Sequence, residues 1–490
     1  FSSDKKISGT IGTEIGSYNS YTYKGNVIGQ VTDNLQIGLD YLHGNSDNYR
    51  EGSEYDKDNY GISLNYKIDN NQKINFKYTK YTNDYSSPAV LTQAQLDKDR
   101  DGASTSETDY QADKDSYSLV YDYNMKDNLK FNLLSSYYNS VSESSTSTSI
   151  TNFDESKIAF KPKLNYEYSK GTLTAGYDYT FNNIVRDTKL GNGAFYDISK
   201  MTNSVFLNNR YDMNKLELIT GYRYEKSDYE MKDQKYGTKT PSDMDKTSSN
   251  SAYSMGLNYL YSDSGKLYGK FESGYTFPDP RQYINLTNGE GELNNLQDEE
   301  FMTYEIGFQD YIINSLVKGA VYYTEKENEI RKEGSSLNAK FYNIDASKRI
   351  GGELSISQNI KKLELSESIA YIDAKVTEGT YEGKRIPYVS KITSSINATY
   401  TFNEKVDLSG NITYRDKYYV DASNLSGLVN DKFVTDIKVN YSIDSNWKTY
   451  VGINNLFNAD YYNTINYRSG AYTYDPASER NYFIGFNYSF

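Results

Sequence analysis

The sequence predicts an all-β protein, a transmembrane antiparallel up-and-down barrel of about 22 strands, on three observations. First, residues 479–490 alternate strictly: Tyr482, Ile484, Phe486, Tyr488 and Phe490 fall on one face, Phe483, Gly485, Asn487 and Ser489 on the other. A large apolar face opposite a mostly small or polar one suits a strand set between lipid and a watery lumen. Second, aromatic residues make up 15% of the chain, with 54 Tyr, 19 Phe and 1 Trp, yet mean hydropathy is only −0.79. Tyrosine pairs an apolar ring with a polar hydroxyl and so belongs in the interfacial girdles of such a barrel. Third, no stretch approaches the roughly 18 consecutive apolar residues of a membrane helix, so a membrane crossing here needs a closed barrel.

The elements follow in order. An opening strand is predicted over residues 5–16, and a first hairpin turns near 32–34. The next is the clearest: Tyr60, Ile62, Leu64, Tyr66 and Ile68 alternate with Gly61, Ser63, Asn65 and Lys67, a short turn covers 69–72, and residues 73–81 return. That is a hairpin with a tight turn. The unit recurs across turns near 125–128, 169–171, 212–215, 262–266, 310–314, 358–362, 402–405 and 442–446. About ten hairpins with an opening strand and a closing strand over 479–490 make about 22, an even number in the range of transporter barrels. The connections between hairpins are longer and rich in Ser, Asp, Asn, Gly and Lys, as in residues 82–116, 139–156, 182–203 and 228–251. Short turns at one end and long loops at the other are the asymmetry of a bacterial outer-membrane barrel, turns periplasmic and loops extracellular.

Composition narrows the function. With no Cys there is no disulfide framework, thiolate metal site or cysteine nucleophile, and a single His leaves little imidazole chemistry. No Gly-x-Ser-x-Gly elbow and no phosphate-cradling glycine loop is present, and acid pairs such as Glu299 and Glu300 read as strand-end charges, so no enzyme is predicted. The net charge of −13 argues against a nucleic-acid partner. A soluble β-sandwich or secreted adhesin also has alternating strands, but such domains rarely exceed about 250 residues and this chain shows no compositional break. One barrel domain over 1–490 is expected, monomeric because a closed barrel has no edges to pair. The chain starts at Phe1 without a basic-then-apolar leader, so any export signal is expected to be absent from it.

Particular residues then carry a family resemblance. The run Val451-Gly452-Ile453-Asn454-Asn455-Leu456-Phe457-Asn458-Ala459-Asp460-Tyr461-Tyr462, with Arg480 and the terminal Phe490, resembles the end of TonB-dependent outer-membrane receptors, where G-x-x-N-L-F-(D/N)-x-x-Y precedes an arginine and an aromatic strand. Gly274-Tyr275-Thr276-Phe277-Pro278-Asp279-Pro280 is similar to that family's G-(F/Y)-x-x-P box. Asn294-Asn295-Leu296-Gln297-Asp298-Glu299 with Tyr304-Glu305-Ile306-Gly307 is similar to its N-P-x-L-x-P-E…Y-E-x-G box, with Asn295 and Asp298 in place of prolines. Gly352-Glu353 and the run from Tyr371-Ile372-Asp373-Ala374 to Pro387-Tyr388 extend the likeness over roughly the C-terminal half. The boxes mark strands and loop bases, and their residues are read as structural. Ser87-Pro88-Ala89-Val90-Leu91-Thr92-Gln93-Ala94 resembles the P-G-x-L-T-x-A loop segment of ferric-citrate-type siderophore receptors, with Ala89 for glycine.

The resemblance implies an outer-membrane receptor for energy-dependent uptake of a scarce chelate, a ferric siderophore first, with outer-membrane lipid, a TonB-type coupling protein and an iron chelate as partners. It also implies an N-terminal plug that this sequence does not contain, so the chain is expected to be the barrel portion of a larger receptor; the alternatives are a plugless passive pore and a receptor for another small polar nutrient. Capture groups are sought in loop residues able to meet carboxylates, hydroxyls and rings: Arg281 and Tyr283 after the proline box, Tyr467 and Arg468 in the last long loop. Haem is disfavoured, since the family's haem receptors place a histidine between the two boxes and 274–307 has none. The single His43 ends the outward run Leu35, Ile37, Leu39, Tyr41, and an interfacial place is expected. No cofactor is required. Asp97-Lys98-Asp99-Arg100-Asp101-Gly102 is the D-x-D-x-D-G opening of a calcium loop, but the closing Glu is missing: Thr108 stands there between Glu107 and Asp109. A calcium ion on Asp97, Asp99 and Asp101 competes with a plain solvated acidic loop.

Overall fold

In the computed structural model the described residues are 7–103, 107–189, 193–235, 237–240, 243–288, 290–333, 338–468 and 470–490. Twenty-two antiparallel strands form one sheet in which every strand pairs with its neighbours in the chain. The sheet closes where Ile7–Gly16 pairs with both Ser20–Thr32 and Asn481–Ser489. The seam runs from Thr10 opposite Ser489 to Gly16 opposite Phe483, and Gly9 and Phe490 exchange backbone hydrogen bonds of 3.1 and 3.0 Å beyond it. The predicted opening and closing strands are therefore partners, their bounds trimmed to Ile7–Gly16 and Asn481–Ser489.

The outward face is apolar and bare. Ile7, Ile11 and Ile15 on the first strand, Val321 and Ile306 further round, and Tyr482, Ile484 and Phe486 on the last expose 41–69% of their surface. Contiguous apolar area on that scale belongs in lipid, not in water. On the inward face several glycines lie directly under a ring from the next strand. Tyr450 stands opposite Gly485, and a Cβ there would come within 2.1 Å of the ring. Glu14 is the partner of Gly485 on its other side, so the Tyr450 hydroxyl crosses the glycine and donates to Glu14 Oε2 at 2.7 Å, stapling the seam.

All ten predicted tight turns lie at one end. Their chemistry is local: Asp69 Oδ1 accepts from the backbone N–H of Asn71 and Gln72 at 2.7 and 2.8 Å, and Asn214 and Asn314 take the left-handed φ that two-residue turns need. The other end departs from expectation. Much of what reads as loop is paired strand: Gln72–Pro88 with Glu107–Lys126, Leu129–Thr146 with Ser149–Tyr168, Gly171–Thr188 with Phe195–Met213, and Leu216–Lys235 with Met244–Leu260. Lys340–Ile360 reaches 21 residues, where about 11 tilted residues cross a bilayer. The apolar alternation stops at the lipid boundary because water has no use for it, but ladder hydrogen bonds need no lipid and continue.

Candidate functional site

The long-loop end holds three packed groups. The first spans residues 277–298, between strands Lys266–Thr276 and Glu299–Ile312. Asp279 caps the short 3-10 turn Pro280–Tyr283: its carboxylate accepts from Arg281 N–H at 3.0 Å, while Gln282 Oε1 accepts from Asp279 N–H at 2.7 Å. The turn buries Pro280 and Tyr283, and Tyr283 joins a small core with Tyr196, Ile198, Tyr229, Met231, Phe277, Ile284 and Leu296. The Tyr283 ring meets Tyr229 edge-on at 5.8 Å, and Lys246 Nζ sits 4.3 Å over it before donating to Leu296 O. Burial lowers the Lys246 ammonium below its usual range and raises the Asp298 carboxyl beside it. The proline box is thus structural, as read. Tyr283 has no exposed surface and serves packing, not the open mouth. Arg281 keeps about half its side chain exposed but is engaged by Asp279 at 3.0 Å.

The second group joins loops distant in sequence. Leu91–Thr92 adds to the hairpin Tyr462–Arg468 and Ala471–Pro476, with Thr92 opposite Thr473 and Leu91 opposite Tyr474. The helix Gln93–Lys98 follows, opened by a Thr92–Gln95 capping box. Arg50 is 5% exposed and donates to Asp475 Oδ1 at 3.1 Å, Ala89 O at 2.9 Å and Gly102 O at 3.3 Å. Arg100 donates to Tyr461 O at 2.6 Å and lies over the Tyr462 ring. The siderophore-receptor-like segment is thereby fixed to the last loop. The acidic triplet in it does not converge. Asp97 accepts from Gln93 at 2.7 Å, while Asp99 and Asp101 share a hydrogen bond that, with burial, raises the Asp101 carboxyl.

The third group is a tyrosine array. Tyr418, Val420, Val429 and Ile465 are buried beneath Tyr462, Tyr467, Tyr472 and Tyr474. Ring centroids are 5.0 Å apart for Tyr467 and Tyr472 and 5.1 Å for Tyr462 and Tyr474. Cations ring it: Arg415 is 4.7 Å from the Tyr418 ring, Arg385 5.5 Å from Tyr419 and Lys432 4.2 Å from Tyr461. Arg415 and Lys432 are register partners at the upper end of neighbouring strands, on the face shared with Asp407, Lys438 and Asn440, which line a lumen cavity with Glu14 and Asn487. Neither is in an ion pair among the described residues. Lys432 is partly buried, and Arg415 Nε is buried with no hydrogen-bond partner among the described residues. Two adjacent, partly desolvated cations beside ring faces are an arrangement whose chemistry suits a planar or aromatic anion.

Of the residues singled out in the sequence, Tyr467 falls within this array, Arg281 and Tyr283 in the first group, and the Arg468 side chain lies outside the described residues. Arg385, Arg415, Lys432, Tyr418 and Tyr472 were missed. The dense stretch Arg415-Asp416-Lys417-Tyr418-Tyr419 was the available signal.

A closed 22-stranded wall with ten tight turns at one end and packed loops rich in cations and tyrosines at the other is a barrel of the transporter type. The chain belongs to the TonB dependent receptor-like β-barrel family, whose model matches residues 3–456. That family comprises receptors and transporters, not enzymes. The catecholate siderophore receptor Fiu of Escherichia coli (strain UTI89 / UPEC) is 22% identical over 249 residues, 48% of this chain and 32% of that protein, so the chain spans about a third of this relative's length. Among solved structures, the ferric yersiniabactin uptake receptor FyuA from Yersinia pestis superposes with a TM-score of 0.87 at 14% identity, over 100% of this chain and 81% of that one. The unliganded ferric citrate transporter FecA gives 0.83 at 16%, over 100% and 79%. At such identities the likeness is one of fold.

Proposed function

We propose that this chain is the wall and extracellular mouth of a bacterial outer-membrane receptor that imports an anionic ferric chelate, a siderophore, with energy passed from a TonB-type coupling protein through a plug domain seated in the lumen. The observation that carries the reading is the Arg415 and Lys432 pair, on the lumen face and in no ion pair among the described residues, with Arg415 over the Tyr418 ring of the tyrosine array and Lys432 over the neighbouring Tyr461. A ferric chelate with carboxylate or catecholate oxygens offers charge to the pair and flat faces to the rings. The sequence relative is a catecholate siderophore receptor, and FyuA and FecA are a receptor and a transporter of ferric chelates, while the copper transporter OprC superposes as well.

Uptake of iron-55 presented on catecholate, carboxylate and hydroxamate chelates, in cells lacking the gene and complemented with parent or variant, tests this. Replacing both Arg415 and Lys432 by glutamine removes at least one charge-assisted contact, about 1.5–3 kcal/mol, so the half-saturating chelate concentration should rise at least about tenfold. Uptake of every chelate unchanged by deletion would overturn the reading. So would a large steady conductance in planar bilayers without energised uptake, the behaviour of a passive pore.

A further inference from the structure

On the outside of the wall, away from the lumen, the strands Leu35–Ser46 and Tyr55–Lys67 place His43 opposite Asp58 and Asn45 opposite Asp56. These positions share the outward face with exposed Leu39, Tyr41, Tyr60 and Ile62, one or two residues beyond the last apolar ring toward the loop end. His43 Nδ1 lies 3.1 Å from Asp58 Oδ1 and 3.9 Å from Asp56 Oδ1, and one ligand atom from each of the three falls within 4.8 Å of the others. Among the described residues it is the one such group of three.

We propose that His43, Asp56 and Asp58 form a binding site for a divalent metal ion of the zinc type on the outer wall. Three donors around an ion with bonds of about 2.0–2.2 Å stand about 3–3.5 Å apart. The His43 to Asp58 edge already has that length. Closing the remaining edges takes a torsion of Asp56, whose half-exposed side chain would pivot about its hydrogen bond from Asn45. The other two donors are held. Tyr41 donates its hydroxyl to Asp58 Oδ1 at 2.9 Å, and the His43 ring lies against Tyr21 and Tyr23 at centroid distances of 5.5 and 6.3 Å. Asn45 Nδ2 donates to Asp56 Oδ2 at 3.1 Å, leaving Oδ1 toward His43. Such orientation of ligands by neighbouring donors is what tunes a metal site. An imidazole with two carboxylates favours zinc, nickel, cobalt or copper over calcium or magnesium, which take all-oxygen sets. The remaining positions around the ion would be filled by water or by an anionic group at the membrane surface. Both strands belong to a rigid ladder, so binding needs no change in the wall.

The test is metal binding by the full chain in detergent micelles, with Zn2+ alone, Ca2+ alone and Co2+ as spectroscopic probe. Parent protein should take up about one Zn2+ per chain, with Co2+ giving visible bands of a nitrogen-ligated ion. H43Q and D58N should each weaken Zn2+ at least tenfold and abolish the Co2+ bands, while D40N, a lumen-facing control, should leave both unchanged. Correct folding of each variant is read from its heat-shifted mobility on gels. Equal Zn2+ binding by parent and H43Q overturns the assignment, and so does Ca2+ binding as tight as Zn2+.

Discussion

Glu329 offers the sharpest test of the mouth's energetics. It lies in Ser315–Glu333, where Asn328 takes a left-handed φ of +55° between Glu327 and Glu329. The exposed alternation of Val321, Glu325 and Glu327 ends there, and Glu329 is buried. Its carboxylate accepts from Arg349 Nη2 at 2.8 and 3.0 Å, one distance to each oxygen, from Arg331 Nη2 at 2.6 Å and from Ser347 Oγ at 2.8 Å. Burial alone would raise the carboxyl; Arg331 and Arg349 outweigh it, and the net shift is downward from the ordinary value of 4.5. Removing one partner of such a pair costs about 3–5 kcal/mol because a charge is left buried, and with Arg331 still present R349M should cost about 3 kcal/mol. The double variant E329Q/R349M removes both the carboxylate and the arginine that grips its two oxygens and leaves only the partly exposed Arg331 without its partner, so it should cost less than the sum of E329Q and R349M, a coupling of about 2 kcal/mol. The sign with pH follows from the depressed folded value. The stabilisation is full above the ordinary carboxylate range and is lost as pH falls through the depressed folded pKa, so the coupling should weaken progressively as the pH is taken below that range. Urea unfolding from lipid vesicles, followed by tryptophan fluorescence and gel mobility at neutral and acid pH, measures it. A stability of R349M equal to the parent, or a coupling unchanged at acid pH, would refute the reasoning.

Two further consequences concern the seam and the loops. G485A pushes the Tyr450 ring off its glycine and breaks the bond to Glu14, so it should cost about 1–2 kcal/mol, with Y450F, which loses only the hydroxyl, costing about 1 kcal/mol; a G485A variant as stable as the parent in the same urea assay would show that the ring does not staple the closure. R50M removes the buried cation that ties Ala89 and Gly102 to Asp475 and leaves two carbonyls and a carboxylate without their donor, so added protease should cut residues 88–103 at least about tenfold faster while the wall stays intact.

How much of this was legible depended on how far apart the interacting residues are in the chain. The ten turns were readable because Asp69 or Asn214 closes its turn with atoms two or three residues away. The strand count was readable because lipid acts on each strand separately and imposes a period of two wherever it touches. Beyond the lipid boundary that external pattern ends, and residues 82–116 or 228–251 look like loops although their ladders continue. The mouth was least legible. Arg50 meets Asp475 and Leu91 meets Tyr474 across 425 and 383 residues, contacts fixed only once the barrel has closed and brought the last loop beside the second and third. Tyr283 shows the same limit from the other side. Its neighbours Tyr229 and Lys246 come from another hairpin, so a residue that reads locally as an exposed loop tyrosine is the most enclosed ring of the group.

The division between wall and mouth also explains why a match at 14% identity can superpose over the whole chain. The wall constrains only side-chain class at alternate positions, which Ile, Val, Leu, Phe and Tyr satisfy interchangeably, so identity decays while geometry persists. On the proposed function, residues such as Arg415, Lys432 and Tyr418 would answer to a ligand instead and be free to differ wherever the cargo differs. Cargo specificity should therefore travel with the loops: grafting residues 377–391, 416–431 and 455–480 onto a related barrel of different substrate should move chelate preference with them, and preference that stays with the wall would place recognition deeper in the lumen.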